Sequence, residues 1–382
     1  KLMLIRPTKG LSIKLTFSWV ILFFKGVDIM HMADALVSPV VGGSMLAATS
    51  GVAAYSIKKI QNDMDEKKIP LMGVMGAFVF ASQMINFTIP GTGSSGHLGG
   101  GMLLAILLGP YAGFLTMGSI LLIQALFFGD GGLLAYGCNV FNLGFYTCFI
   151  AYPFIYKWFT RKGITSKRIF TASMTSALIG LQMGAFSVVL ETLLSGKTEL
   201  PFGTFVLLMQ PIHLAIGVVE GLVTSAVVTF VWKARPEIIE KAATGEAFGN
   251  ISMKKVLTSL VIAVVLVGGS LSWFASANPD GLEWAMEKTA GTAELEASGG
   301  IHETLSEIQS KTAFLPDYSF KANEGENQNE TATQAEDKWP AISTGTSVSG
   351  IVGGTLTLIL AAFAGFIINL IKKNKKKKKV TQ

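Results

Sequence analysis

Apolar runs of about twenty residues recur along this chain of 382 residues, and polar or charged segments separate them. Each run is long enough to cross a bilayer core about 30 Å thick as a helix. The pattern therefore predicts an all-α polytopic membrane protein. The predicted spans number about nine, and they are Leu36–Ile57, Pro70–Thr88, Leu98–Leu108, Tyr111–Phe128, Leu133–Phe154, Ile169–Leu194, Phe205–Trp232, Val256–Ala275 and Val348–Ile371. The third is short and ends at Gly109-Pro110, which predicts a broken or re-entrant helix there.

Basic residues indicate which way the spans run. Lysine and arginine clusters follow the first, fifth, seventh and ninth predicted spans, and the last cluster is the run KKNKKKKK at 372–379. With alternating spans, all four clusters fall on one side, which the positive-inside rule makes cytoplasmic. The segment at Met30, the loop holding His97 and the stretch 276–347 then face outward. The C-terminus is predicted to be cytoplasmic.

Composition supports the membrane class and narrows the function. Half of the residues are hydrophobic and only 15% are charged, against roughly 25% in a soluble domain. The net charge of +6 comes mainly from loop lysines, so it does not indicate nucleic-acid binding. The terminal lysine run adjoins a predicted span, so we interpret it as a topology anchor beside membrane lipid. Cys138 and Cys148 are ten residues apart within one span and are expected to be buried, unbridged thiols.

Polarity divides the chain into five parts. Residues 1–29 precede a hydrophobic block at 30–235 that is predicted to hold about seven helices. A charged cytoplasmic linker at 236–255 leads to an accessory unit at 256–371, where two helices flank an outer loop at 276–347, and a lysine-rich tail fills 372–382. The outer loop is acidic, so it either concentrates cations by long-range attraction or serves only as a solvated tether. Its part from 321 to 338 has the composition of a disordered segment.

Histidines are scarce and are the first candidates for chemistry. His31 and His97 both lie at the predicted outer ends of spans. If Met30 is the mature first residue, its amine, the His31 backbone nitrogen and the His31 imidazole can surround one cation, and His97 can supply a fourth nitrogen. A square-planar set of nitrogens suits Ni(II), or Cu(II) on affinity grounds, and Co(II) more weakly. The alternative is that His31 merely lies at the membrane interface and His97 caps a turn.

Two further patterns lie within predicted spans. His213 and Glu220 are seven residues apart, so they share one helix face, as an acid–base pair of an intramembrane enzyme would. Gly43, Ala47 and Gly51 form a stripe of small residues on the first span, which serves either internal packing or the docking of a partner subunit.

Several segments together resemble one family. MHMADALVSP (Met30–Pro39) resembles the MHIPDGFLSP-type amino terminus of the CbiM/NikM proteins, the substrate-binding membrane subunits of nickel and cobalt energy-coupling-factor transporters. In this chain Met32-Ala33 replaces the usual Ile-Pro, and Ala35 replaces Gly. The resemblance continues through Gly91–Ala112, Leu126–Gly144 and His213–Thr224, and PDGLEWAMEKT (Pro279–Thr289) resembles the PDGLE segment of the small accessory subunit of the NikN/CbiN type.

This resemblance implies a transport function and a set of ligands. The family holds Ni²⁺ or Co²⁺ through residues that correspond to Met30, His31 and His97. Asn139, Asn142, His213 and Glu220 fall in recurring family motifs and are expected to support the ligands or to pack around them. The partners implied are a transmembrane coupling subunit of the CbiQ/NikQ type and ATPase subunits of the CbiO/NikO type. The ion is cargo, and no cofactor is expected.

The ligand set requires a free amine at Met30. Residues 1–29 carry basic residues and then an apolar stretch, as a signal peptide does, but Val27 and Ile29 are poorly suited to signal peptidase. We therefore favour an upstream over-read with Met30 as the true start, ahead of cleavage before Met30 and of a retained helix. Retention would convert the amine into an amide and remove a ligand.

The sequence thus predicts the substrate-specificity component of an ATP-driven importer for Ni²⁺ or Co²⁺, which is a transport protein and not an enzyme. The alternatives are an intramembrane enzyme that uses His213 and Glu220, or a metal-sensing receptor. The nitrogen ligands do not distinguish nickel from cobalt.

Overall fold

The computed structural model describes residues 30–63, 66–249, 251–293, 295, 299–321 and 340–380. The predictions made for residues 1–29, and most of the segment predicted to be disordered, lie outside these residues. The described residues form twelve helices of at least eight residues, three short 3₁₀-helices (Asp34–Leu36, Leu271–Phe274 and Pro316–Tyr318) and one two-stranded antiparallel sheet. The helices are α1 (Pro39–Asp63), α2 (Lys68–Gln83), α3 (Gly101–Leu108), α4 (Pro110–Phe128), α5 (Tyr136–Thr160), α6 (Ser166–Leu194), α7 (Phe202–Ala234), α8 (Pro236–Thr244), α9 (Lys254–Gly269), α10 (Gly281–Ala290), α11 (Ile301–Thr312) and α12 (Thr344–Val380), and the strands are β1 (Phe87–Ile89) and β2 (Ser94–Gly96).

Six of these helices are long and apolar enough to cross a membrane, namely α1, α4, α5, α6, α7 and α12. The protein is therefore an α-helical, multi-pass membrane protein, as the hydropathy pattern predicts. The other three predicted spans coincide with the shorter helices α2, α3 and α9, which have 16, 8 and 16 residues. At 1.5 Å per residue an eight-residue helix is about 12 Å long, so α3 does not cross a bilayer by itself. The total of about nine spans stays a prediction.

The break between α3 and α4 has a local cause. Gly109 has φ = +81°, which a residue with a side chain adopts only with strain, and Pro110 occupies the first position of α4. The chain therefore turns sharply at Gly109, and α3 packs against α4, buried along its whole length.

The accessory helices pack against the hydrophobic block. α12 lies along α2, and α9 contacts both of them. Close approach depends on small residues, because a Cβ atom on Gly73 of α2 would lie 2.8 Å from the Leu358 carbonyl oxygen of α12. The accessory unit is thus packed onto the block through helices as well as joined to it by the chain.

The basic clusters that set the predicted topology meet at one end of the bundle. The Lys157 ammonium donates to the Ala243 carbonyl oxygen at 2.9 Å, and Lys373 pairs with Glu66 at 2.7 Å. The Lys67 ammonium donates to the Ile251 carbonyl oxygen at 3.0 Å, which adds the segment before α9 to the same end. This gathering agrees with the alternation of spans from which the orientation was predicted.

Two segments that were predicted as a charged linker and an outer loop contain helices. The linker after α7 contains α8, whose Ile238 and Ile239 are buried against the bundle. In the outer loop, α10 buries Leu282, Ala285 and Met286. The interpretation of the outer loop as only a solvated tether is therefore wrong for α10, whose apolar side chains pack on the core, whereas Ile301 and Ile308 of α11 are exposed.

The small-residue stripe on α1 faces away from the rest of the helix bundle. Gly43, Ala47 and Gly51 are exposed, and within the described part of the chain a Cβ atom on either glycine would have no heavy atom within 4 Å. The opposite face of α1 makes the internal contacts, where the Thr49 hydroxyl donates to the Gly137 carbonyl oxygen at 2.8 Å. The described residues thus offer no packing partner for the two glycines, and the choice between internal packing and docking stays a prediction. Cys138 and Cys148 are buried free thiols, as expected.

Candidate metal centre

The segment before α1 is anchored inside the bundle. Met30, His31 and Met32 are buried, and Met32 exchanges two hydrogen bonds of 3.0 Å with the Asn139 side-chain amide of α5. The Asp34 carboxylate accepts hydrogen bonds from the backbone amides of Leu134 and Ala135 at 2.7 and 2.9 Å, at the start of α5. These contacts fix the segment that carries His31 against the start of α5.

A second loop brings His97 to the same place. His97 follows β2, and two residues further on, the Glu220 carboxylate of α7 accepts hydrogen bonds from the amides of Gly99 and Gly100 at 2.8 and 3.2 Å. The His31 and His97 rings lie with their centroids 5.2 Å apart, although the residues are 66 positions apart in the chain. The fold therefore brings together the three residues that the sequence predicts as ligands.

Three nitrogens of the predicted chelate converge on one atom. The Met30 backbone nitrogen, the His31 backbone nitrogen and His31 Nδ1 lie 3.1, 3.2 and 3.0 Å from Oδ1 of Asp130. Asp130 follows α4 and is only 3% exposed. Since all three nitrogens point at a single carboxylate oxygen, they already have the common focus that a chelated cation needs.

Burial and mutual contact shift the pKa values of His31 and Asp130. Burial is the largest influence on the pKa of His31 and lowers it, but the Asp130 carboxylate, with a smaller effect from Asp280, leaves the pKa of His31 above its ordinary value. Burial raises the pKa of Asp130, but the His31 imidazole and the hydrogen bonds of the carboxylate leave it below its ordinary value. Both shifts favour an ion pair when no metal is bound.

His97 keeps a nitrogen lone pair available for a metal ion. Its Nδ1 lies 3.1 Å from the Leu98 carbonyl oxygen and its Nε2 lies 3.1 Å from the Met30 carbonyl oxygen. A neutral imidazole has one N–H, so it donates to only one of these oxygens, and the other nitrogen retains its lone pair. His31 Nε2 is also buried and has no hydrogen-bond partner among the described residues.

A cavity of about 70 Å³ adjoins these groups. Its walls include His31 and His97 from the two loops, and His213 of α7. The accessory unit completes the wall with Asp280 and Leu282. Asp280 is buried and caps the first turn of α10, so the fused unit places a carboxylate beside the candidate ligands.

The donor set depends on main-chain nitrogens. In the described parts of the chain, no three His, Cys, Asp or Glu side chains form a group that could hold a metal ion. The set predicted here has two imidazoles, and its other two nitrogens belong to the backbone of Met30 and His31. Nitrogen donors of this kind suit Ni(II) and Cu(II), whereas Mg²⁺ and Ca²⁺ prefer oxygen.

The expected supporting residues have distinct positions. Asn139 holds the Met32 backbone, and Glu220 holds the glycines that follow His97. Asn142 lines the cavity and donates to the Glu191 carboxylate at 2.8 Å, and His213 lines the cavity with its Nδ1 2.8 Å from the Met209 carbonyl oxygen. The Glu220 carboxylate is therefore engaged by backbone amides and is not arranged as the acid–base partner of His213.

Sequence reasoning did not single out Asp130, Asp280 or Tyr318. Asp130 lies between two glycines directly after an apolar span. A charged residue in that position was the sequence feature that could have identified it as a candidate site residue. Tyr318 donates a hydrogen bond to Oδ2 of Asp130, but it lies 188 positions away in the chain, and no local pattern marks it.

Comparison with known proteins finds two matching family models and several similar transport proteins. Residues 31–238 match the family model "Cobalt uptake substrate-specific transmembrane region" (CbiM), and residues 254–370 match the PDGLE domain. An inferred fused nickel transport protein of Archaeoglobus fulgidus, NikMN, is 32% identical, with 87% of this chain and 96% of that protein covered. The fused nickel transport protein NikMN of Rhodobacter capsulatus is 30% identical over 76% of this chain and 88% of that protein.

A crystal structure of a truncated transition metal transporter is 30% identical, covers 54% of this chain and 99% of its own, and has a TM-score of 0.48. The family and these relatives are transport proteins. The prediction that the chain is not an enzyme is therefore confirmed, and the alternative of an intramembrane enzyme using His213 and Glu220 is wrong.

Proposed function

The chain belongs to the CbiM family of cobalt uptake substrate-specific transmembrane proteins, here fused to a PDGLE-type accessory unit, and from this premise we propose that it is the substrate-specificity component of an energy-coupling-factor importer for Ni²⁺ or Co²⁺. Residues 30–235 form the metal-binding membrane domain in this proposal, and 256–371 form the accessory unit. The relatives of similar length are named as nickel transport proteins, and others as cobalt transport proteins, which supports both ions as cargo.

One observation carries the proposal. The Met30 nitrogen, the His31 nitrogen and His31 Nδ1 converge on a single point, and the His97 ring lies 5.2 Å from that of His31. With a free amine at Met30, these atoms supply fused five- and six-membered chelate rings and a fourth nitrogen from His97. The geometry thus suits a small divalent cation that accepts nitrogen ligands in a plane.

In the proposed route, the ion enters at the end of the bundle that holds the metal centre and leaves toward the end that holds the basic clusters. The metal centre lies beside the start of α1, and the basic clusters lie at the other end of the bundle. If the basic end is cytoplasmic, the ion is captured at the outer face. The accessory loop then lies outside, and its acidic residues attract cations toward the cavity.

Energy for import comes from partner subunits in this proposal. None of the 382 residues forms a GxxxxGK[ST] nucleotide-binding motif, so ATP hydrolysis is assigned to subunits of the CbiO/NikO type. A coupling subunit of the CbiQ/NikQ type docks along Gly43, Ala47 and Gly51, whose exposure on α1 leaves room for a closely packed helix. Docking reorients the chain or distorts the His97 loop, and this breaks the planar set and releases the ion.

The first experiment measures import. Uptake of ⁶³Ni²⁺ and ⁵⁷Co²⁺ is compared in cells that express the chain with and without coupling and ATPase subunits. The proposal expects uptake that requires all partners and is lost in His97→Ala, while His302→Ala, a histidine outside the ligand set, retains it. Binding without transport under every condition would instead favour a metal-sensing receptor, and normal uptake by His97→Ala would refute the ligand set.

The second experiment tests the amine. Mass spectrometry of the purified polypeptide identifies its first residue, and Ni²⁺ binding is then compared between a chain that starts at Met30 and one with that amine acetylated. We expect acetylation to abolish tight binding, because the Met30 amine donates its lone pair directly, whereas an acetylated nitrogen would first have to lose its amide proton, as the His31 backbone nitrogen already must. Full binding by a chain that still carries residues 1–29 would rule out the proposed chelate.

A further inference from the structure

One carboxylate connects the candidate chelate to the accessory unit. Oδ1 of Asp130 accepts the hydrogen bonds from Met30 and His31, and Oδ2 accepts a hydrogen bond from the Tyr318 hydroxyl at 2.5 Å. Both residues are buried, with 3% of Asp130 and 7% of Tyr318 exposed. The two oxygens of this carboxylate therefore face two different structural units.

Ring stacking and a hydrogen bond hold the Tyr318 side chain in place. Its ring stacks on Phe128 with centroids 5.0 Å apart, and Gln124 Nε2 donates to its hydroxyl oxygen at 3.2 Å. Since the oxygen accepts from Gln124, the hydroxyl hydrogen is left for Asp130. Burial and the neighbouring Asp130 charge raise the pKa of Tyr318 well above its ordinary value, so the hydroxyl remains a donor.

The backbone at this point is strained. Asp317 and Tyr318 have φ of +51° and +55°, and they are the only non-glycine residues with positive φ in the described part of the chain. Such a conformation persists only where the surroundings enforce it, and it commonly occurs at functional positions. The accessory loop is held in this conformation where its hydroxyl reaches Asp130.

Other residues of the same loop donate hydrogen bonds to the segment that contains Asp130. Gln309 Nε2 of α11 donates to the carbonyl oxygens of Ala125 and Gly131 at 2.9 and 2.8 Å, on both sides of Asp130. The backbone amide of Leu315 donates to the Phe127 carbonyl oxygen at 3.3 Å. These bonds keep the end of α4 and the accessory loop in register, so Tyr318 is aligned with one particular rotamer of Asp130.

We propose that Tyr318 is a positioning residue through which the accessory unit prepares the metal site: by fixing Oδ2 of Asp130, it holds Oδ1 at the point where the Met30 and His31 nitrogens meet. The incoming cation replaces Oδ1 at that point, where the nitrogens have already converged, and the proton of the His31 amide passes to the Asp130 carboxylate as that nitrogen binds the ion, while protons on the amine or imidazole leave to water. Without the tyrosine hydroxyl, Asp130 samples other rotamers, and the Met30 and His31 nitrogens no longer converge on one point. The inference rests on the proposed ligand set, since Tyr318 acts on those nitrogens through Asp130.

Tyr318→Phe tests this role with the full chain in detergent or nanodiscs. The variant keeps the aromatic ring and its packing and removes only the hydroxyl. We expect a slower association of Ni²⁺ and a Kd raised roughly 10-fold, because only the fraction of molecules with converged nitrogens is competent to bind. Dissociation should change less, since the bound ion itself holds the nitrogens.

The matched control is Tyr136→Phe. Tyr136 also donates a hydrogen bond from its hydroxyl, to the Gly118 carbonyl oxygen at 2.9 Å, but it does not line the cavity. We expect its Ni²⁺ association rate and Kd to stay within about twofold of the native values. If Tyr318→Phe behaves like Tyr136→Phe, or binds Ni²⁺ more tightly, the inference is overturned.

A double-mutant cycle separates positioning from simple stability. In an Asp130→Asn background, Tyr318→Phe should have little further effect on Ni²⁺ association, because the carboxylate through which Tyr318 acts is gone. Equal effects of Tyr318→Phe in both backgrounds would show that the tyrosine acts only on folding. His97→Ala serves as a reference: if it also binds normally, the ligand set itself is wrong, whereas its failure to bind beside a normal Tyr318→Phe refutes only the positioning role.

Discussion

The Glu220 carboxylate of α7 accepts a hydrogen bond of 2.8 Å from the backbone amide of Gly99, two residues after His97. It accepts a second from Gly100, so one buried side chain holds the loop that presents the candidate ligand. The closeness of this contact requires glycine, because a Cβ atom on Gly99 would lie 2.9 Å from a Glu220 oxygen.

Glu220→Ala is therefore expected to weaken metal binding and lower the thermal stability. Two buried amides would lose their acceptor, and an unsatisfied buried group costs about 1–3 kcal/mol. Ni²⁺ titration and thermal unfolding of the purified protein measure the two effects. Glu199→Ala, which removes an exposed carboxylate before α7, should leave both unchanged. Native affinity in Glu220→Ala would show that the loop does not depend on this anchor.

Asp280 has two separable roles, as the cap of α10 and as a charge on the cavity wall. Asn caps a helix about as well as Asp does, so Asp280→Asn should preserve the melting temperature. It removes a negative charge near the cation, so we expect Ni²⁺ affinity to fall roughly threefold to tenfold, or about 0.7–1.4 kcal/mol. Asp280→Ala should lower both quantities. Unchanged affinity in Asp280→Asn would mean that only the cap matters.

Gly131 lies beside the candidate ligand His31. A Cβ atom there would stand 2.9 Å from the His31 Cβ and 3.0 Å from Asn139 Nδ2, and the residue has φ = +83°. Gly131→Ala should displace His31 and weaken Ni²⁺ binding. Gly196→Ala is the matched control, because Gly196 has φ = +75° but no described heavy atom within 4 Å. Both variants carry a backbone strain of about 1–2 kcal/mol. Equal Ni²⁺ affinities in the two variants would exclude an effect of the contact with His31.

The exposed stripe on α1 predicts a docking defect that spares metal binding. Ala47→Leu fills the space that a closely approaching helix needs, so co-purification with the coupling subunit and Ni²⁺ uptake should fall. Ala48→Leu makes the same change one residue along, about 100° around the helix, and should retain both. Ni²⁺ binding by the isolated chain should be native in each variant. Normal uptake by Ala47→Leu would place the docking face elsewhere.

The sequence by itself determined the membrane class, the position of most helices and the chemical type of the predicted ligands. Each of these depends on local features: the length of an apolar run, a glycine–proline break, or two adjacent residues such as Met30 and His31. The pattern of basic loops also predicted that the four basic clusters share one side, and they do meet at one end of the bundle, because charge placement relative to spans needs no knowledge of packing.

Only the tertiary structure decided which polar groups surround the predicted ligands. Asp130, Glu220 and Tyr318 reach the site across 99, 121 and 188 positions of the chain in their contacts with His31, Gly99 and Asp130. A helical period also cannot tell whether the stripe with Ala47 faces a neighbouring helix or the outside. Periodicity records that one face differs from the others, whereas the packing of distant helices determines what that face contacts.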